Sequence, residues 1–418
     1  MACHIPQILS ELMAANGTRN VFYKLIDNKH FVLSIWIIIA AFYTYKCIGY
    51  HGVNNYLIFK YTYFNALHGQ NLYAQYPQYY FDSNHYGPVF SLIMAPFAVL
   101  PGDLGLYFWQ IFNVSVLFWA IHKLPLDTTK KNIICIICTQ ELIVMLREFQ
   151  TNGAIAALVI LAWVMVDNKK DFWAGLFIML GFFIKLYGVI GVVFFLISKQ
   201  KKQFVAGLFV WAVVLFVLPM LVFTPQFILQ SYGDWYHSLV EKNAQNVSMD
   251  TQYQDISVMG MTRRIIGHSI AILPVLLTAA ATFCISSLKV LNTSVHRQKF
   301  LLLCSSLLFI VLFSTGSEYV TYIIAYPGIA IWFVTAPRPF TALQITLFVF
   351  AVYFGSLYRT DIFPSYIKLH FINRYALKAL PCLLIWLALI AEMLTRKDGE
   401  EIVSDYPTQP NIAPTLKN

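Results

Sequence analysis

The stretch from His51 to Pro88 reads HGVNNYLIFKYTYFNALHGQNLYAQYPQYYFDSNHYGP and is the first long polar interruption after an apolar run. It carries eight tyrosines, several amides, two further histidines and a single acid, Asp82. Ordering so long a loop costs entropy, and long aromatic loops with few charges are disproportionately binding or catalytic. The stretch reads as one wall of a working site set between segments that belong in lipid.

The chain around it supports that reading. Of its 418 residues 58% are hydrophobic and 12% charged, too little polar surface for a soluble protein of this size. The apolar residues arrive in runs of roughly 15 to 25, long enough to cross a hydrocarbon core. Continuous runs, rather than alternating strands of about ten residues, exclude a transmembrane barrel. The expected fold is all-α, a polytopic transmembrane helical bundle of roughly 11 to 13 crossings with two long extracytoplasmic loops.

The net charge of +9 is modest and concentrated in short loops, which points to membrane topology and anionic headgroups rather than nucleic acid. Seven cysteines are present, and most lie inside apolar runs. Cys135 and Cys138 form a C-x-x-C with no second pair to complete a zinc set, so they read as packing residues. No metal site and no cofactor is indicated, and no nucleotide-binding fingerprint is present.

In chain order, residues 1–30 read as a cytoplasmic or interfacial lead-in without a cleavable signal peptide. Residues 31–394 form a single transmembrane domain, and 395–418 a cytoplasmic, disordered tail. Within the first loop Tyr56, Phe59, Tyr63, Phe64 and Leu67 recur at helical spacing, which predicts a helix lying on the membrane surface. A second polar stretch, Thr224 to Arg264, is read as another outer loop.

The basic clusters Lys199–Lys202, Arg297/Lys299 and Arg396/Lys397 place their ends, and the amino terminus, in the cytoplasm. Two topologies then remain for the middle. Either Pro101-Gly102-Asp103 joins two full crossings, or Tyr86–Ile121 crosses once as a broken unit. The second keeps Lys123–Lys131 inside, but it requires Phe172–Ile197 to break near Lys185.

Ionisable groups within or beside apolar spans are expensive, and each is a functional candidate. Glu148 either pairs with Arg147 at a helix end or faces a polar cavity with Gln150 and Asn152. Lys185 sits too deep to reach an interface easily and either binds an anion or pairs structurally. Glu318 opens a span, as an ordinary first-turn acid or as a cavity residue. Asp82 precedes Tyr86-Gly87-Pro88 at a span entrance, where a carboxylate could meet an acceptor hydroxyl. Arg263 and Arg264 either bind phosphate or mark an interface.

These residues fall into an order. Asn55, Gly69 and Tyr73 are followed by Tyr86-Gly87-Pro88, Pro96-Phe97-Ala98 and Leu100-Pro101. Gln150-Thr151-Asn152-Gly153 comes next, then Gly175, Lys185 and Gly188. Asp255-Ile256-Ser257 with Arg263, and Ser317-Glu318-Tyr319, are weaker echoes. The pattern resembles glycosyltransferase family 87, polytopic enzymes of the GT-C type similar to polyprenyl-phosphate-mannose-dependent mannosyltransferases.

The resemblance implies an inverting hexosyltransferase in the plasma (inner) membrane. Its donor would be a polyprenyl-phosphate sugar, and its acceptor a lipid or an envelope glycan on the outer face. Such chemistry needs a carboxylate to take the acceptor proton and cations or amides to stabilise the departing lipid phosphate. The family usually places an acid fourteen positions before the glycine that corresponds to Gly69, and here that position is Asn55. An amide is no base, so the catalytic assignment falls to Asp82 and then Glu148. Lys185, Arg263 and Arg264 would bind the donor phosphate, and Asn55, Tyr86, Gln150, Asn152 and Glu318 the remaining substrate groups.

Two other readings fit such a chain, a lipid-linked sugar transporter or flippase and a non-catalytic glycan-binding relative. No internal repeat is visible, which sets the transporter behind the enzyme. Asn55 motivates the non-catalytic relative.

Overall fold

The computed structural model describes residues 24–50, 52–248, 254–291 and 293–395. The lead-in as far as residue 23 and the tail from 396 onward lie outside the described residues. Every regular element among the described residues is helical. Four stretches are long and apolar enough to cross a membrane, Lys29–Gly49, Leu104–His122, Lys201–Leu221 and Ala342–Arg359, and shorter apolar helices accompany them.

The first is α1 (Lys29–Gly49), begun by Asn28, whose side chain accepts from the backbone N–H groups of His30 and Phe31. Helix α2 (Asn54–Leu67) and α3 (Val89–Ala98) flank the polar part of the first loop. Then come α4 (Leu104–His122), α5 (Thr128–Arg147), α6 (Asn152–Asp167) and α7 (Asp171–Lys185). A 3-10 segment (Tyr187–Leu196) leads to α8 (Lys201–Val217), α9 (Pro225–Asn246), α10 (Val258–Ile266) and α11 (Ile272–Leu288). The last third holds α12 (His296–Leu312), a 3-10 turn (Tyr319–Ile323) entering α13 (Ala325–Val334), α14 (Ala342–Phe350) and α15 (Ala379–Thr395).

Helix α6 is the central post. Nearly every residue from Asn152 to Val166 is buried, and its alanines let α4, α7, the 3-10 segment and α12 approach closely. The outer helices behave oppositely. Val205, Phe209 and Val213 on α8 and Leu273 and Leu277 on α11 are exposed. Such apolar faces are unfavourable in water and suited to lipid.

Polar contacts gather the helix ends into two groups. At one end Lys299 pairs with Asp167 at 2.7 Å and Arg297 with Glu392 at 2.9 Å. There also Asn132 donates to the Ile26 carbonyl at 2.6 Å and accepts from His122 at 3.0 Å. At the other end Trp109 donates to the Phe149 carbonyl at 3.0 Å, and Asn152 to that of Val320 at 3.1 Å.

Helix α3 stays at this second end. Gly87 N–H bonds the Ile184 carbonyl at 3.3 Å, and Tyr56 reaches the Phe97 carbonyl at 3.0 Å. The chain from Tyr86 to Ile121 therefore traverses the bundle once, and Lys123–Lys131 joins the end that carries Lys199, Lys201 and Lys299.

That path requires a break after Lys185, and Leu186 supplies it with a left-handed backbone (φ 44°). The chain then folds back beside α7. An α-helix rises about 1.5 Å per residue and a 3-10 helix about 2.0 Å, so the ten-residue return leg nearly matches the fifteen residues of α7. Gly188 makes the hairpin possible, because a Cβ there would overlap the Ile178 carbonyl and the backbone of Phe182 and Gly181.

Two expectations need correcting. The stretch Thr224 to Arg264 is mostly helical, with α9 spanning 22 residues. Its buried face is Ile228, Ser231, Trp235 and Ser238, a helical stripe too polar to register as hydrophobic periodicity. Helix α2 forms where its spacing predicts, but Tyr56 and Phe59 turn inward, Phe59 meeting Tyr86 at 5.0 Å and Trp109 at 5.9 Å between ring centroids.

Gly188→Ala is expected to destabilise the detergent-solubilised protein by about 3 kcal/mol, the upper range for overpacking. Gly233→Ala, in α9 with open space around it, should instead stabilise by about 0.5–1 kcal/mol. Thermal-shift fluorimetry distinguishes the two, and equal melting temperatures would contradict the close approach.

Candidate functional site

The first loop is stapled down by its own amides. Asn71 accepts from the N–H groups of Tyr73 and Ala74 at 2.7 and 3.1 Å, and donates to Asp234 of α9 at 3.0 Å. Asn54 exchanges two 2.8 Å hydrogen bonds with the Phe81 backbone. Trp235 donates to the His85 carbonyl at 3.0 Å. Gly87 then presses on Phe183, where any Cβ would strike the carbonyl oxygen. The loop is thus held against the broken end of α7.

A cavity of about 380 Å³ opens between loop, break and α9. Asp82 and Lys185 both line it, together with Asn55, Tyr86, Gln150 and Glu318. The acid and the cation singled out from the sequence therefore share one hollow. Its size falls within the range of small-molecule sites.

Lys185 projects from the last turn of α7 and donates to the Asn152 carboxamide oxygen at 3.0 Å. Asn152 is buried and fixed in turn by the Val320 carbonyl, so it holds the ammonium rather than lining the cavity. The Lys185 ammonium also lies 5.8 Å from the Tyr86 ring and 5.3 Å from that of Tyr187. Tyr86 donates to the Gln150 side-chain oxygen at 3.0 Å and accepts from Thr151 at 3.3 Å. Burial pushes the Glu318 carboxyl up, while Lys185 and Lys242 pull it back.

Asp82 is an exposed residue with a left-handed backbone (φ 75°). Its carboxylate meets Lys242 of α9 at 3.1 Å, accepts from the Ser83 N–H at 2.8 Å and lies 3.8 Å from His85 Nε2. The His85 contact first, then Lys242, holds its carboxyl well below the usual range, against the opposing effect of burial.

Glu148 stands just outside the cavity. Its carboxylate accepts from Tyr319 at 2.6 Å, and its carbonyl accepts from Asn55 at 2.7 Å. The Arg359 guanidinium lies 3.7 Å from the Tyr319 ring centroid. Behind them Lys378 pairs with the fully buried Glu141 at 2.8 Å and donates to the Tyr319 carbonyl at 3.2 Å. Arg263 and Arg264 are not brought into the cavity. Arg263 forms a buried ion pair with Asp255, and Arg264 donates to the Gln254 carbonyl at 2.6 Å. Both fix the segment that carries Gln254 on the cavity wall.

Sequence reasoning missed Lys242, His85, Tyr187, Asn243 and Asn246, which also line the cavity. A signal existed for α9, since Trp235, Ser238, Lys242 and Asn246 recur at intervals of three and four. Cys135 and Cys138 are buried in the core. Among the described residues no group of three or more His, Cys, Asp or Glu could hold a metal ion.

A family model described as glycosyltransferase family 87 matches residues 84–315, more than half of the chain. The match takes in Tyr86, Glu148, Gln150, Asn152, Lys185 and both arginines, while Asn55, Asp82 and Glu318 lie outside it. No curated protein matches the chain.

Because the Asp82 carboxyl is depressed in the folded chain, its contribution to loop docking is fully present above the usual aspartate pKa, about 3.9. That contribution is lost as pH falls further, through the folded value. Amide exchange over residues 71–85, corrected for its intrinsic pH dependence, should therefore accelerate below about pH 4. In Asp82→Asn the acid-induced acceleration should shrink; an unchanged acid response would refute the linkage.

Proposed function

The chain belongs to glycosyltransferase family 87, and from that premise we propose that it is an inverting hexosyltransferase of the GT-C type, using a polyprenyl-phosphate sugar, with mannose the first candidate. The acceptor is a lipid or envelope glycan at the outer face of the plasma membrane. One observation carries this reading, the opening of the Asp82 carboxylate and the Lys185 ammonium onto one cavity at one end of an apolar bundle.

In this reading the donor phosphate sits by Lys185, whose fixed charge stabilises the negative charge that grows as the sugar–phosphate bond breaks. Tyr86, Gln150 and Asn55 supply hydroxyl and amide groups to the sugar. Asn152 sets the position of Lys185. The acceptor oxygen attacks the anomeric carbon from the face opposite the phosphate, and Asp82 takes its proton. The bond to phosphate breaks with its electron pair leaving on the lipid phosphate. Lys185 carries the phosphate charge.

Orientation follows from charge. The opposite end carries Lys123, Lys130, Lys131, Lys199, Lys201, Lys202 and Lys299, which favours a cytoplasmic position for that end and for the start of α1. The cavity then faces outward, where lipid-linked sugars would meet their acceptors.

The test is transfer from radiolabelled polyprenyl-phosphate hexoses by the protein in membranes. Asp82→Asn should lower kcat by about 10²-fold or more, the usual scale for removing a general base. Lys185→Gln should lower kcat/KM for the donor by at least about tenfold, and Glu148→Gln should cost less than Asp82→Asn. Undiminished transfer in both Asp82→Asn and Glu148→Gln would remove the base assignment. No transfer by the wild type from any donor would favour transport or glycan binding instead.

A further inference from the structure

His85 is bound in a way that fixes its tautomer. Its Nδ1 lies 2.7 Å from Ser238 Oγ on α9. Ser238 has one proton and donates it to the Asn84 carbonyl at 3.1 Å. The hydroxyl oxygen is therefore the acceptor and Nδ1 carries the hydrogen, so a neutral imidazole keeps its lone pair on Nε2.

That Nε2 is buried and has no hydrogen-bond partner. Asp82 Oδ1 lies 3.8 Å from it. A bare imine nitrogen beside a carboxylate leaves two acceptors facing one another with no hydrogen between them. One proton placed there satisfies both.

The Asp82 carboxylate favours that proton, and the Lys242 ammonium opposes it. Asp82 comes from the same loop, and Lys242 of α9 meets the other Asp82 oxygen at 3.1 Å. Lys185 at the end of α7 and Glu318 before the 3-10 turn stand on the walls of the same cavity. An imidazolium there would lie beside the Asp82 carboxylate.

We propose that His85 is the residue on which the acceptor proton comes to rest: Asp82 takes it from the acceptor hydroxyl and passes it to His85 Nε2. The inference rests on the transfer reading above. In the step the acceptor O–H bond breaks and the oxygen–anomeric carbon bond forms. The sugar–phosphate bond breaks with its pair on the lipid phosphate, and the proton crosses Asp82 to give an imidazolium, later released to water. Asp82, paired with Lys242 and accepting from the Ser83 N–H, is poorly suited to keep a proton, and His85 relieves it. Acting through Asp82, His85 is a positioning residue.

His85→Asn tests this, because the asparagine amide can still donate to Ser238 where Nδ1 did, while nothing replaces Nε2. The expected result is a kcat lowered by about 10²-fold with donor and acceptor KM nearly unchanged, and loss of the histidine limb from the pH–rate profile. A purely structural role predicts wild-type kcat and profile in His85→Asn, and that result would overturn the proposal.

A second measurement needs no turnover. Nitrogen-15 NMR of histidine-labelled protein, with His85→Asn assigning the signal, should show the neutral ring protonated at Nδ1. An Nε2–H tautomer would overturn the inference. A wild type inactive with every donor would defeat the transfer reading and, with it, the role in transfer, while the NMR result would still report on the Asp82–His85 pair.

Discussion

A glycine lying on a carbonyl joins the two halves of the cavity. Gly87 donates to Ile184 at 3.3 Å and leaves no room for a side chain above Phe183. On one side of this contact hang Asp82, His85 and Tyr86; on the other Leu186 turns the chain and leaves Lys185 at the cavity wall. This backbone-to-backbone contact holds the loop that carries the carboxylate against the helix end that carries the ammonium, and both open into one hollow. The stapling amides Asn54 and Asn71 serve the same end, as does Asn84, whose side-chain oxygen accepts from the Tyr86 N–H at 3.0 Å, since each removes freedom from a loop that would otherwise be costly to order.

The charges behind the cavity follow a different logic. Glu141 and Lys378 are buried in an apolar bundle, where losing one partner strands the other at a cost of roughly 3–5 kcal/mol. Their pairing reaches the site through the Tyr319 carbonyl, the Tyr319 hydroxyl on Glu148 and the Glu148 carbonyl on Asn55. Asn55 acquires a physical role in this chain, because its amide donates to a carbonyl. A carboxylate in its place would set oxygen against oxygen. The amide at a position where the resemblance leads one to expect an acid is thus matched to its surroundings.

How much of this was legible beforehand depends on the residue. Lys185 announced itself, since an ammonium far from either end of an apolar run demands a reason. Asp82 stood out as the lone acid of its loop. Arg263 looked equally promising, yet its charge is taken by Asp255, eight positions earlier in a buried turn. Lys242 went unnoticed although it is the ion-pair partner of Asp82 from 160 positions away. The stripe that carries it is a mixture of serine, tryptophan, lysine and asparagine, and apolar periodicity is blind to such a face.

The sequence by itself determined that this chain is a lipid-soluble, all-helical protein, because too few charges exist to cover it and the apolar runs are long. It also pointed to a hinge at Pro101-Gly102-Asp103 and, for one of two topologies, to a break near Lys185, and it showed which ionisable groups needed a purpose. Tertiary structure alone decided which of those groups share a cavity and which cancel in pairs. Helical periodicity fixes the face on which a residue sits, but Coulomb and hydrogen-bond energies depend on distances between helices. Those distances are set by close contacts such as Gly87 on Phe183 and Gly188 on Ile178, each made by residues far apart along the chain or folded back across a single left-handed turn.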